Sequence, residues 1–165
     1  MKTLLLVRHA KSSWDNAALK DFDRPLNERG KKNAPEMASR LAKRKIDIDL
    51  FVSSPAKRAK TTAILFNKEL KKKEDDIIFE NDLYHADPEA FLQVISKIDQ
   101  RYQCVALFSH NPGITDFANS LTDARIDNIP TCGVFAITVE AETWSDFDTS
   151  TKNFLFFDYP KSEVY

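Results

Sequence analysis

The stretch Thr3-Leu4-Leu5-Leu6-Val7-Arg8-His9 decides how this chain is read, because an apolar run ends abruptly in an arginine and a histidine. An apolar run this short, without helical period, reads as a buried strand over residues 3–7, and the sudden charge marks its end. Four further runs have the same form: residues 50–53, 77–79, 105–109 and 134–139, each rich in β-branched or aromatic residues and bounded by polar or turn residues. Residues 154–159 add a sixth, an edge strand whose aromatics Phe154, Phe156, Phe157 and Tyr159 are expected to pack on the core.

Segments of helical period lie between these runs. Ala34, Met37, Ala38, Leu41 and Ala42 fall on one face, as do Phe91, Val94, Ile95 and Ile98, and then Ile114, Phe117, Ala118 and Leu121. Strands alternating with such stripes point to a layered α/β fold rather than a bundle or a sandwich of sheets. Ser54 before Pro55 and Asp87 before Pro88 each place a capping oxygen ahead of a proline suited to the first helical position. Pro35, inside the helix that begins near Asn27, predicts a bend or a late start. Residues 11–25 show no clean period and many charges, which reads as a long, partly mobile loop over whatever site the strands create. The charged run at 71–76 reads as a solvated turn.

Length and charge limit the function. The 165 residues fit one domain spanning 1–165, and 24 basic side chains nearly balance 25 acidic ones. No global field draws such a protein to nucleic acid or to an anionic membrane, so any anion site is local. The apolar run before Arg8 is far too short for a signal-peptide core or a membrane span, and a cytoplasmic location is expected. Cys104 and Cys132 read as small buried hydrophobes, with no second pair to suggest zinc or a disulfide framework.

The chemistry lies at the strand ends. Arg8-His9 closes the first strand, Ser109-His110 closes the fourth, and Arg58 stands one turn into the helix after the second. In doubly wound sheets this is the edge where ligands bind. Two arginines and a helix N-terminus around two histidines make an anion trap of phosphate size. A neutral imidazole nitrogen can attack phosphorus in line, while an arginine fork holds the equatorial oxygens and offsets their charge. The second histidine, once protonated, can donate to those oxygens, and this residue set calls for no metal and no cofactor. Any one of these residues alone is an ordinary surface group; three separate segments converging is what carries the reading.

Leu6-Val7-Arg8-His9-Ala10, the stretch from Ser53 through Arg58 to Thr62, and Ser109-His110-Asn111-Pro112 together resemble the histidine phosphatase (phosphoglycerate mutase-like) superfamily. The short length, Pro25-Leu26-Asn27-Glu28-Arg29-Gly30 and Cys132-Gly133-Val134 look most like its small SixA-type phosphohistidine phosphatases. The resemblance implies a three-layer sandwich: a mostly parallel central sheet of about six strands with helices on both faces. It implies that His9 is the nucleophile, with Arg8, Arg58 and His110 completing the phosphate pocket. Ala10 stands where many members have glycine, which tightens the turn.

Larger members supply a leaving-group acid that is not plainly present. His85 or Asp87 occupies one of its two places and Asn111 the other; Asp87 reads as a helix cap and His85 stays open. A missing acid suits a leaving group that departs easily, such as the nitrogen of a phosphohistidine. Lys11, His85 and Asn111 are the expected substrate-binding residues. Lys11, Trp14 and Arg24 are placed at the pocket mouth, with Trp14 pinning its loop to the body.

The expectation is therefore a metal-independent phosphatase working through a phosphohistidine on His9, on a phosphorylated protein or a small phosphorylated metabolite. A phosphatase of small phosphoesters with His85 as acid is the alternative within enzymes, and a phosphate- or phosphopeptide-binding module that has lost turnover is the alternative outside them. Mutase action fits least, since so short a chain has little to enclose a phosphorylated intermediate. Oligomeric state leaves no trace in the sequence.

Overall fold

The apolar run that opens the chain becomes the middle of a sheet. A computed structural model describes residues 1–162. Its strands are β1 (Lys2–Arg8), β2 (Leu50–Ser53), β3 (Ile77–Phe79), β4 (Cys104–Ser109), β5 (Val134–Val139) and β6 (Lys152–Asp158), in the order β3-β2-β4-β1-β5-β6. The pairs β3–β2, β2–β4 and β4–β1 are parallel, and β5 runs antiparallel to both its neighbours. The helices are α1 (Glu28–Lys43), α2 (Lys57–Glu69), α3 (Pro88–Ser96) and α4 (Gly113–Leu121).

Both faces of the sheet are covered, which is why its central strands read as unbroken apolar runs rather than as alternation. Leu5 and Val7 point to one side and pack with Ala34, Met37 and Leu41 of α1 and Ala63 and Phe66 of α2. Leu4 and Leu6 point to the other, against Phe91 and Ile95 of α3, Ile114 and Phe117 of α4, and the turn bearing Trp144 and Phe147. The result is the expected three-layer sandwich. β1 leads into a helix on the first face and its neighbour β4 into a helix on the second, so the chain parts at their adjoining C-terminal ends. A crevice opens where two neighbouring strands send their connections to opposite faces.

Several local expectations need correcting. α1 begins at Glu28, with the Asn27 side chain accepting from the Gly30 N–H at 2.9 Å, and it runs through Pro35 without a late start. Helix α2 starts at Lys57, two residues later than the Ser54 cap implied: the Ser54 hydroxyl turns toward His110, and the one backbone N–H it accepts from is that of Ala56, at 3.2 Å, ahead of the helix. Asp87 does cap α3, accepting from the Ala90 N–H at 2.9 Å with Pro88 in the first turn.

The 11–25 loop is held rather than loose. A bridge joins Ser12 to Leu26, a 3₁₀ turn spans Asp21–Asp23, and Arg24 donates to the Ser12 hydroxyl at 2.7 Å. Trp14 does not pin it: the ring is 73% exposed and carries the Arg24 guanidinium 3.6 Å from its centroid. Among the β6 aromatics Phe156 is buried while Phe154 stays exposed. Cys104 and Cys132 are buried and unpaired, and burial pushes the Cys104 thiol up to about 12. Among the described residues no helix is long and apolar enough to cross a membrane.

Gly113, the first residue of α4, anchors the helix that follows His110. A Cβ added there would sit 1.8 Å from the Ala86 carbonyl oxygen, so the backbone, not a pliable side chain, blocks it. Gly113→Ala is expected to cost about 1–3 kcal/mol of stability, the range for overpacking a rigid interior. An unchanged thermal unfolding midpoint would show that the Ala86 segment yields freely.

Candidate active site

Strand register places the first two functional side chains. β1 and β4 pair with Arg8 opposite Ser109, so His9 and His110 emerge side by side one residue later, their ring centroids 5.1 Å apart. The His9 N–H donates to the Ser109 carbonyl at 3.1 Å, continuing the ladder past the strand end. From the β5 side the Cys132 N–H reaches the carbonyls of both Arg8 and His9 at 3.0 Å. That reach needs the left-handed conformation Cys132 adopts, with φ 62°.

The His9 ring is oriented by its own turn. Nδ1 lies 2.8 Å from the Ala10 carbonyl oxygen. A carbonyl only accepts, so Nδ1 carries the hydrogen and Nε2 presents a lone pair. The turn is fixed in its place: the Ala10 N–H donates to Thr62 Oγ1 at 2.9 Å, and the Thr62 hydroxyl donates to the Arg58 carbonyl at 2.7 Å. Helix α2 thus holds the His9 loop with one side chain. With another it addresses the ring, since Arg58 Nε–H donates to His9 Nε2 at 3.3 Å.

The remaining groups close around this pair. Arg8 donates through Nη1 to the Ile129 carbonyl at 3.0 Å, and its buried Nε has no partner. Arg58, only 5% exposed, gives Nη1 to the Asp21 carbonyl at 2.6 Å and Nη2 to Asp21 Oδ2 at 2.9 Å. The Tyr84 hydroxyl donates to the same Oδ2 at 2.7 Å, and its ring meets His110 edge-on at 5.4 Å and Phe22 at 5.1 Å. Opposite, His110 Nε2 and Ser54 Oγ share a hydrogen bond of 2.8 Å, and the buried Nδ1 has no partner.

Burial dominates the titration of both rings. Desolvation, with the nearby Arg58 and Arg8 charges, holds His9 down to about 3. Desolvation and then the neighbouring His9 and Arg58 hold His110 down to about 2. Protonation of the second histidine, easy at its ordinary value, is opposed here, and burial keeps the His110 ring neutral. Asp21 is held ionised, far below the usual carboxylate range, because its hydrogen bonds from Tyr84, Arg58 and Arg24 outweigh the cost of desolvation.

Arg8, His9, Arg58 and His110 thus converge as the sequence predicts, and the three expected binding residues do not join them equally. His85 is exposed, in a left-handed conformation at φ 59°, with its ring 4.0 Å from Tyr84. It lines a cavity of about 280 Å³ together with His110, Asn111, Asp87 and Asp116. The Asn111 amide is already committed, donating to Asn128 and Ile129 and accepting from Thr115. Lys11 lines a different cavity, with Arg29, Thr131 and Lys161. Arg24 is buried against Ser12 and Asp21, a tether rather than a mouth. Sequence reasoning missed Ser54, whose proline neighbour made it look like a cap, and Thr62, which carries no chemistry itself. It also missed Asp21 and Tyr84, which lie in stretches without period.

A sequence model of the histidine phosphatase superfamily (branch 1) matches residues 4–102, a span that includes Arg8, His9 and Arg58 and stops short of His110. Phosphoserine phosphatase 1 of Hydrogenobacter thermophilus is 40% identical over 86 residues, which cover 50% of this chain and 40% of that protein. An uncharacterized chloroplastic protein of Arabidopsis thaliana is 28% identical over 88% of this chain and 70% of its own length. Among solved structures, the SixA protein of Agrobacterium tumefaciens, described by inference as a phosphohistidine phosphatase, superposes with a TM-score of 0.80. It is 27% identical, over 96% of this chain and 98% of that one. The fold, the crevice and a sequence match over more than half its length agree: this chain belongs to the histidine phosphatase superfamily.

Proposed function

We propose that this protein is a phosphatase that carries the phosphoryl group on His9 Nε2 and acts, without a metal, on phosphohistidine in a protein. The observation that carries the reading is the His9 ring itself, its Nδ1 hydrogen donated to Ala10 and its unprotonated Nε2 met by the Arg58 Nε–H at 3.3 Å. A nucleophile so placed needs no general base to strip it of a proton.

In the first half of the cycle Nε2 attacks phosphorus in line, the new P–N bond forms, and the bond to the leaving group breaks. Arg8 and Arg58 supply the positive charge that a loose transition state requires, and His110 donates a hydrogen bond to a transferring oxygen. In the second half water attacks phosphorus, the bond to Nε2 breaks, and its electron pair returns to the ring; the water proton leaves with phosphate or solvent. A phosphohistidine protonated on its ring departs as neutral imidazole, so no acid is required. The surroundings agree with that demand: Asp21 is held ionised and Asp87 is committed to its helix cap.

One observation favours a second reading. His85 borders the same cavity as His110 and could protonate an ester oxygen, which would extend the activity to small phosphoesters.

An aryl phosphate should be hydrolysed in the presence of a metal chelator, and His9→Ala should abolish that activity; equal turnover by the variant would end the proposal. A peptide bearing phosphohistidine should be cleaved at least about a hundredfold faster than the matching phosphoserine peptide, the factor a missing general acid costs. Under the second reading the gap closes, and His85→Ala reopens it.

Acidity gives a separate check. An ordinary imidazole, titrating near 6.5, would lose roughly tenfold in reactive form between pH 8 and 5.5. His9, held down to about 3, stays unprotonated across that window. With substrate kept well below saturation, where the rate reports the free enzyme, the rate constant for phosphorylation of His9 should therefore change by less than about twofold over the same range. A tenfold fall would show His9 titrating normally.

A further inference from the structure

We propose that Asp21 is a positioning residue: it grips the end of the Arg58 guanidinium so that the Nε edge of that group faces His9 and the phosphoryl group it receives. The inference rests on the phosphatase reading above and adds a residue to it.

A guanidinium has two forks, an end fork formed by Nη1 and Nη2 and a side fork formed by Nε and the inner hydrogen of Nη2. Asp21 takes the end fork with two different groups. Its backbone carbonyl accepts from Nη1 at 2.6 Å and its carboxylate from Nη2 at 2.9 Å. What remains is the side fork, and its Nε–H lies 3.3 Å from His9 Nε2. That long contact marks where a phosphoryl oxygen would accept instead. A phosphate held side-on, beside the attacking nitrogen, leaves the grip of Asp21 intact.

The carboxylate is itself immobilised. Oδ2 takes the Tyr84 hydroxyl as well as Arg58, while Oδ1 takes Arg24 Nε at 3.3 Å and Arg24 Nη2 at 3.2 Å. All these donors come from outside the 3₁₀ turn that bears Asp21: α2, the segment before α3, and the foot of the loop.

A carboxylate beside an arginine that must bind an anion weakens that binding, so its presence calls for another reason. Proton donation is not the reason, because Asp21 is ionised, and so stabilised a carboxylate is also a poor proton acceptor. Orientation is the reason left. Arg58 is long and has many rotamers, and misplacement of a positioning group by an ångström is enough to cost about a hundredfold in rate.

The test is a comparison of Asp21→Ala and Asp21→Asn with the wild-type protein, using an aryl phosphate as substrate and inorganic phosphate as the bound ground-state anion. Asp21→Ala should lower kcat about a hundredfold. Asp21→Asn, which keeps an accepting oxygen, should recover about a tenth of wild-type kcat or more. Inorganic phosphate should bind both variants as tightly as wild type or more tightly, since a negative charge has been removed. In ¹⁵N-edited NMR, the Arg58 Nε–H should exchange slowly in the wild type and in Asp21→Asn, and rapidly in Asp21→Ala.

Three results would each overturn the proposal: Asp21→Ala within about twofold of wild-type kcat; a loss of inorganic phosphate affinity as large as the loss of kcat, which would make Asp21 part of the pocket's construction only; or unchanged Nε–H protection in Asp21→Ala. If the wild-type protein hydrolyses nothing, the phosphatase reading fails. The phosphate-binding and exchange measurements then still decide whether Asp21 sets Arg58.

Discussion

The parallel pairing of β1 with β4, in the register that sets Arg8 opposite Ser109, is the constraint on which the site depends. It makes two residues far apart in the chain, His9 and His110, neighbours at a distance fixed by a strand spacing. Everything else is arranged about that pair. Helix α2 reaches over with Thr62 and Arg58, the loop before β5 reaches under to Arg8 and His9, and Ser54 steadies the second ring. Packing on both faces of the sheet leaves the register no freedom, since a shift by one residue would turn Leu4 and Leu6 into the wrong layer.

Burial and positive charge act together on the two rings. Water would let either imidazole take a proton near neutrality, but the crevice removes the water and surrounds the rings with guanidinium groups, and both stay neutral. The same arginines that would attract an anion therefore keep the His9 lone pair free of a proton. An arriving phosphate brings the opposite charge and favours a proton on His110, so the second ring can strengthen its donation only once something is bound. The charge state of the site is in this sense a property of the complex and not of the empty protein.

Much of this was legible in the sequence. Three of the six strands, at residues 50–53, 77–79 and 134–139, have the bounds their apolar runs mark; Arg8, His9 and His110 stand where strand ends put them, and Arg58 at the start of α2. What escaped is informative. Ser54 satisfies every local rule for a helix cap, yet a partner from another strand, His110, draws its hydroxyl away, and no local rule contains that partner. Asp21 and Tyr84 sit in segments whose order comes from contacts across the crevice, so periodicity cannot reveal them. Its ordinary titration makes a protonated His110 easy to obtain; its burial, which the sequence does not state, opposes that. Trp14 was expected to pin its loop to the body, and the Arg24 guanidinium laid over its exposed ring takes the place of that contact.

β5 is the one strand of the sheet that runs against the rest. Its direction brings the segment entering the strand, rather than the one leaving it, to the edge where the crevice opens, so residues 129–133 underpin Arg8 and His9 from beneath. A parallel crossover must carry a helix and has a length set by that helix; an incoming connection of this kind has no such obligation. The floor of the pocket can thus be lengthened, shortened or recast in composition while the crossovers that frame its walls are left as they are, and the two can diverge at independent rates.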